Sequence, residues 1–257
     1  MPTISEIAAY IGAAAWVPQI ISWIYRWFIN PEVSIVPERQ VELGFTTYGP
    51  IFNIRLALSV NKKPTIIDTL EAIIDHEEGD SHHLTWTGMQ ETIGEISSFG
   101  GPRQFIQKDQ PAIALKLTPD LLIERFVRFQ DLTFQESHRI LLNSVTAHLN
   151  YLKEKESDYR DKILESREVS DMVQLFKQKF WWKKGKYTFR FQISSSNNAN
   201  LRNVKFAFDM AQSDVDSLRK NLDFVKTDFE NAIKSDIQGY QFKPVPWNWS
   251  NIFVRKM

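Results

Sequence analysis

The chain has 257 residues, with 31 Lys and Arg balancing 31 Asp and Glu, and 43% of its residues are hydrophobic. That length and composition suit a packed core and exclude a wholly disordered or collagen-like chain. No cysteine is present, which excludes disulfides, thiolate metal sites, iron–sulfur clusters and cysteine nucleophiles.

Between Glu6 and Arg26, the run from Ile7 to Tyr25 carries no charge over 19 residues. As a helix it would be ~28 Å long, close to the ~30 Å hydrocarbon core of a bilayer. Trp23, Tyr25 and Trp27 gather at its C-terminal end as aromatic residues do at a membrane interface. Gly12 through Ala15 form a smooth patch for close helix contact, and Gln19 and Ser22 are candidate polar lining of a multi-copy pore. Residues 1–30 are therefore expected to form a transmembrane or membrane-associated anchor. Pro18 and Gln19 interrupt the run, which keeps open a helix lying flat in the interface or buried in a core. With no Lys or Arg before Ile7, a cleaved signal peptide is not expected. Arg26 and Arg39 follow the run, which places the rest of the chain on the cytoplasmic side of the cell membrane, single-pass.

After Asn30 and Pro31 the pattern changes to period two. In Ile51 to Val60, Phe52, Ile54, Leu56, Leu58 and Val60 share one face, which is a half-buried strand. Similar runs cover 33–36, 40–45, 70–76, 83–87, 112–117 and 123–134, separated by turn chemistry such as Tyr48-Gly49-Pro50 and Glu78-Gly79-Asp80. From Gln135 to about Lys179 the spacing turns helical, through Leu141, Val145, Leu149 and Leu152. Strands resume at Tyr187 to Ile193 and Val204 to Met210, joined by the polar loop 194–200. Ser213 is a plausible N-cap for a helix whose apolar face is Val215, Leu218, Leu222, Val225, Phe229 and Ile233, and an extended aromatic tail follows. The expected fold is mainly β with helices: the anchor, then an antiparallel β-sandwich over 31–257 with a helical insertion at about 135–180 and a C-terminal amphipathic helix.

Neutrality hides two poles. Residues 64–102 hold eight acids and no Lys or Arg, and residues 177–205 hold eight bases and no acid. The two segments either pair across the sheet or the basic one meets an outside anion. Trp181, Trp182, Lys183, Lys184, Lys186 and Arg190 interleave aromatics with cations, the combination that stacks the bases of single-stranded nucleic acid and neutralises its phosphates. An anionic lipid surface would suit the same residues, and burial of both tryptophans in the core is the competing structural reading. His76, His82 and His83, with the acids between them, form the one cluster dense in metal ligands, at a spacing that matches neither HExxH nor an EF-hand. A polar hairpin tip is the simpler reading of that run. His138 and His148 are expected to be solvated histidines on the insertion. No GxGxxG, P-loop or GxSxG motif occurs, so no cofactor and no enzymatic activity are expected.

These observations point to a non-enzymatic, membrane-anchored, homo-oligomeric sensor or effector, whose cytoplasmic β-domain binds a ligand or partner and gates a membrane pore. An antiviral or stress effector is the most specific version. The alternatives are a passive membrane-tethered interaction module and a metal-dependent enzyme using His76, His82 and His83.

Overall fold

The computed structural model describes residues 15–24, 29–96, 104–202 and 204–257, with the backbone alone at 92–96 and 104–106. Helix α1 covers residues 15–24, and all ten are exposed. Ten residues rise only about 15 Å, and no helix among the described residues is long and apolar enough to cross a membrane. Gly12, and most of the expected span before Ala15, lie outside the described residues. Ala15, Gln19 and Ser22 lie on α1, at the i, i+4, i+7 spacing that puts them on one face.

The fold is mainly β with helices, built around one large sheet. Its strands in chain order are β1 (Glu32–Thr46), β2 (Gly49–Asn61), β3 (Thr65–His76), β4 (Ser81–Ile96), β5 (Gln104–Pro111), β6 (Leu115–Leu117) and β7 (Ile123–Gln130), followed after a helical insertion by β8 (Gly185–Ser195), β9 (Asn200–Leu201), β10 (Phe206–Met210), β11 (Trp249–Phe253) and β12 (Arg255–Lys256). The neighbours run β11-β1-β2-β7-β4-β3-β8-β10-β12, all antiparallel, while the short β9 pairs in parallel with β1. Only Val254 separates β11 from β12, and its N–H bonds Arg39 O at 2.8 Å. The last segment of the chain thus pairs with β1 on one side and β10 on the other, joining the two ends of the sheet. Closure leaves fewer edges open to pairing with another chain.

This corrects the expected two-sheet sandwich, and the end of the extended aromatic tail is a strand of the sheet, β11. Alternation along a strand is the same whether its sheet faces a partner sheet or curls back on itself. Phe52, Ile54, Leu56, Leu58 and Val60 are buried as expected. Phe52 of β2 meets Phe129 of β7 at 6.0 Å between ring centroids, but also Phe189 of β8 at 5.2 Å, four neighbours along the sheet. Opposite walls therefore touch through their rings and fill the interior.

Two boundaries move for local reasons. The strand expected over 123–134 ends at Gln130, because the Asp131 carboxylate accepts the Phe134 N–H at 3.0 Å and starts helix α2 (Leu132–Lys155). The insertion then divides into α3 (Tyr159–Leu164) and α4 (Arg167–Lys179), the latter capped by Ser166 Oγ accepting from Val169 N–H at 3.4 Å. The C-terminal amphipathic stretch forms α5 (Gln212–Arg219) and α6 (Asn221–Lys234). Asp214, rather than Ser213, serves the start of α5, accepting from Ala211 N–H at 3.1 Å. Phe134 of α2, Phe176 of α4 and Val225 of α6 pack on Phe45 near the end of β1, so the helices cover one end of the sheet. The opposite end, where β1 begins, is the end from which α1 departs.

Candidate functional site

At the helix-covered end, the β3–β4 turn faces the chain that enters β8. The turn closes through His76 N–H to Asp80 O at 2.8 Å and Gly79 N–H to His76 O at 2.9 Å, with Gly79 in the left-handed region at φ 100°. Gly185 opens β8 at φ 138°, and a Cβ there would collide with Glu77 Oε1 and His76 Nε2. Glycine is therefore what lets the two segments approach.

The acidic and basic poles meet here. Lys183 Nζ donates to Asp80 Oδ2 at 2.5 Å and Glu78 Oε2 at 3.2 Å. These bonds hold the ammonium above its ordinary range, and the same bond from Lys183 holds the Asp80 carboxyl below its own. Further along β8, Arg190 Nη1 donates to Asp75 Oδ2 at 2.8 Å while Ser81 Oγ donates to Asp75 Oδ1 at 2.6 Å. Two of the six expected ligand-binding residues are thus engaged by acids of the same sheet. Lys184 and Lys186 remain exposed.

The tryptophans part company. Trp182 is 1% exposed, and its indole N–H donates to Gly44 O at 3.1 Å. Trp181 lies flat on His82, 3.9 Å between centroids at 9°. One ring is core and the other, half-buried, is stacked on His82.

His76 is buried. Its Nδ1 faces the Glu78 N–H at 3.3 Å and its Nε2 faces Lys184 O at 3.2 Å, which assigns the proton to Nε2. Tyr187 accepts the Lys183 N–H at 2.7 Å and donates to Lys183 O at 3.1 Å, and burial pushes its phenol up to about 12. Among the described residues, the one group able to gather around a metal ion is His76, Glu78 and Asp80, whose ligand atoms lie within 4.8 Å of one another. The Lys183 ammonium bonds both of these carboxylates, so a divalent ion would have to displace it. His82 and His83 are successive strand residues and point to opposite faces: His82 packs on Trp181 and His83 is exposed. The expected His76, His82 and His83 cluster is therefore not assembled.

Neither histidine of the insertion is freely solvated. His138 packs on Phe134 and Phe176, at 5.7 and 5.2 Å, and His148 Nδ1 lies 2.9 Å from Glu168 Oε2. Burial lowers the pKa of both His82 and His138. A histidine depressed in the folded state contributes stability that is present above its unfolded value of about 6.5 and is lost as pH falls through the lower folded value. Stability is expected to decline from pH 7.5 to pH 5, and the double variant His82→Asn with His138→Asn is expected to flatten that decline. Urea unfolding across this pH range measures it, and an unchanged slope would refute the assignment.

The closed sheet thus brings Trp181, Lys183 and Arg190 against the 75–82 segment, while Trp182 turns into the core; the meeting of Lys183 and Arg190 with acids was foreshadowed by the complementary charge poles. Glu78 was marked in the sequence as one of the acids of that pole, whereas Tyr187, which completes the cluster, carried no signal beyond its place in a strand. No protein-family model, curated protein or solved structure matches the chain.

Proposed function

We propose that the chain is a membrane-tethered, non-enzymatic sensor or effector that self-associates through its N-terminal helix and holds its β-rich part on the cytoplasmic face. The observation that carries this reading is α1. Trp16, Val17, Ile20, Ile21, Trp23 and Ile24 are all exposed; at helical spacing Val17, Ile20, Ile21 and Ile24 occupy the side opposite Ala15, Gln19 and Ser22, and Trp16 and Trp23 flank it. A helix with so much apolar surface in water calls for an apolar environment. Lipid suits the aromatic and branched face, and the small and polar face suits a neighbouring copy. Arg26 and Arg39, which follow the helix, favour the cytoplasmic placement.

Flotation with lipid vesicles tests the proposal. A charge near the centre of a spanning segment costs about 2.5 to 3.5 kcal/mol, so Ala15→Arg is expected to leave most of the protein at the bottom of the gradient while the unaltered chain floats. Equal flotation of the two would overturn the anchor. A chain that stays monomeric in mild detergent at all concentrations would overturn self-association.

A further inference from the structure

The end of the sheet from which α1 departs gathers residues that lie far apart in sequence. β1 begins there, with Glu32 opposite Asn61 and Asn200 N–H bonded to Pro31 O at 2.8 Å. Three loops share this end: 62–64 after β2, 118–122 before β7 and 196–199 after β8. Their placement follows from register, since Leu117 pairs with Thr65, Ile123 with Leu58 and Ser195 with Ile67.

Each loop holds a non-glycine residue in the left-handed region: Lys62 at φ 75°, Asp120 at φ 70° and Asn198 at φ 50°. Among the described residues no other non-glycine residue does so. Lysine and aspartate enter that region at a cost, so the fold imposes the loop shapes. What the loops present is amphipathic. Leu121 and Leu122 are 53% and 60% exposed side by side, and Ile66 is exposed at the start of β3. Lys62, Lys116 and Arg202 are exposed around them, with Lys63 half-buried. The acids at or beside this end are Glu32, which pairs with Lys62 at 3.4 Å, and the exposed Asp120, Glu124 and Asp68, so cations rather than acids gather closest around Leu121 and Leu122 only on the side of Lys62, Lys63, Lys116 and Arg202. Among the described residues no carboxylate pairs with Lys63, Lys116 or Arg202.

We propose that this end of the sheet docks on the surface of an anionic phospholipid bilayer, with Leu121 and Leu122 entering the headgroup boundary and Lys62, Lys63, Lys116 and Arg202 meeting lipid phosphates. Apolar side chains flanked by cations are what such an interface selects. The inference rests on the anchor reading of α1: seven residues in sequence separate Ile24 from Glu32, and seven residues reach at most ~25 Å whatever their conformation. A membrane-held α1 therefore keeps this end, and not the helix-covered one, near the bilayer.

The absence of native cysteine allows single-site labelling of the full chain. Leu121→Cys and, at the opposite end, Tyr48→Cys on the β1–β2 turn, 62% exposed, would each carry an environment-sensitive dye. On phosphatidylcholine vesicles with about 30% phosphatidylglycerol, the dye at 121 is expected to shift to the blue and to be quenched by headgroup-level nitroxide lipid, while the dye at 48 does neither. Adding Lys62→Glu and Lys63→Glu is expected to return the 121 dye to its aqueous emission while the protein still floats. Leu122→Cys provides an independent second position. A chain that floats while positions 121 and 122 stay aqueous would overturn the docking and leave the anchor standing. Equal shifts at 121 and 48 would also overturn it, and failure to float would overturn both readings.

Discussion

Trp182→Ala lowers the unfolding free energy by about 3 to 5 kcal/mol, the cost of emptying a large buried aromatic site. The ring sits inside the sheet with Tyr187 at 5.8 Å, and its N–H satisfies Gly44 O on β1. Deleting it leaves a cavity and removes the indole bond to Gly44 O, a carbonyl that also lies in the β1–β2 ladder opposite Ile51. Trp182→Phe refills most of the volume and loses only that hydrogen bond, so it is expected to cost about 0.5 to 1.5 kcal/mol. Trp181→Ala, removing a half-buried ring from the face of His82, falls well below Trp182→Ala. Urea unfolding measures the series through its midpoints at constant slope. A Trp182→Ala variant as stable as the unaltered chain would mean that the ring is not core.

Asn221→Ala is expected to cost about 3 kcal/mol, because one buried side chain serves three backbone groups, the buried Phe45 O and the half-buried N–H and O of Asn248, at about 1 to 3 kcal/mol each, incompletely additive. Asn221 is 0% exposed at the start of α6. Its Nδ2 donates to Phe45 O at 2.9 Å and Asn248 O at 2.8 Å, and its Oδ1 accepts from Asn248 N–H at 2.9 Å. It therefore fixes the residue immediately before β11 to the end of β1, the strand that β11 must join to close the sheet. Asn221→Asp keeps the acceptor but turns a buried carboxylate toward two carbonyls, so it is expected to be at least as harmful. Hydrogen exchange locates the effect. Amides of β11, such as Ile252, are expected to lose protection by more than those between β3 and β8. Uniform loss over the whole sheet would show that Asn221 does not act through the closing strand.

Much of the strand pattern was legible because period two is a local property. The residues from Phe52 to Val60 at every second position, and from Tyr187 to Ile193, could be assigned to a buried face by counting alone, and the structure buries Tyr187, Phe189 and Phe191 in turn. The helical insertion and the apolar positions Val215, Leu218 and Val225 were legible for the same reason at period 3.6. Boundaries failed where a polar side chain decided them: Asp131 begins α2 inside an apolar run that reads on as strand. The pairing of the charge poles was one of two readings in the sequence, and only the register that sets Asp75 and His76 opposite Thr188 and Tyr187 put Lys183 and Arg190 within reach of acids.

By itself, then, the sequence determined which residues share a face, where charge of each sign accumulates, and that an apolar segment precedes the β-rich part. The tertiary structure decided which strands are neighbours, and with that the closure of the sheet by residues 249–256, the burial of Trp182, the separation of His82 from His83, and the gathering of three left-handed loops at the end that bears α1. The physical reason is that side-chain periodicity constrains a strand only along its own axis. Neighbours and register are fixed by hydrogen bonds and ring contacts between residues far apart in the chain, such as Gly44 with Trp249 or Phe52 with Phe189, and those depend on the whole chain folding at once.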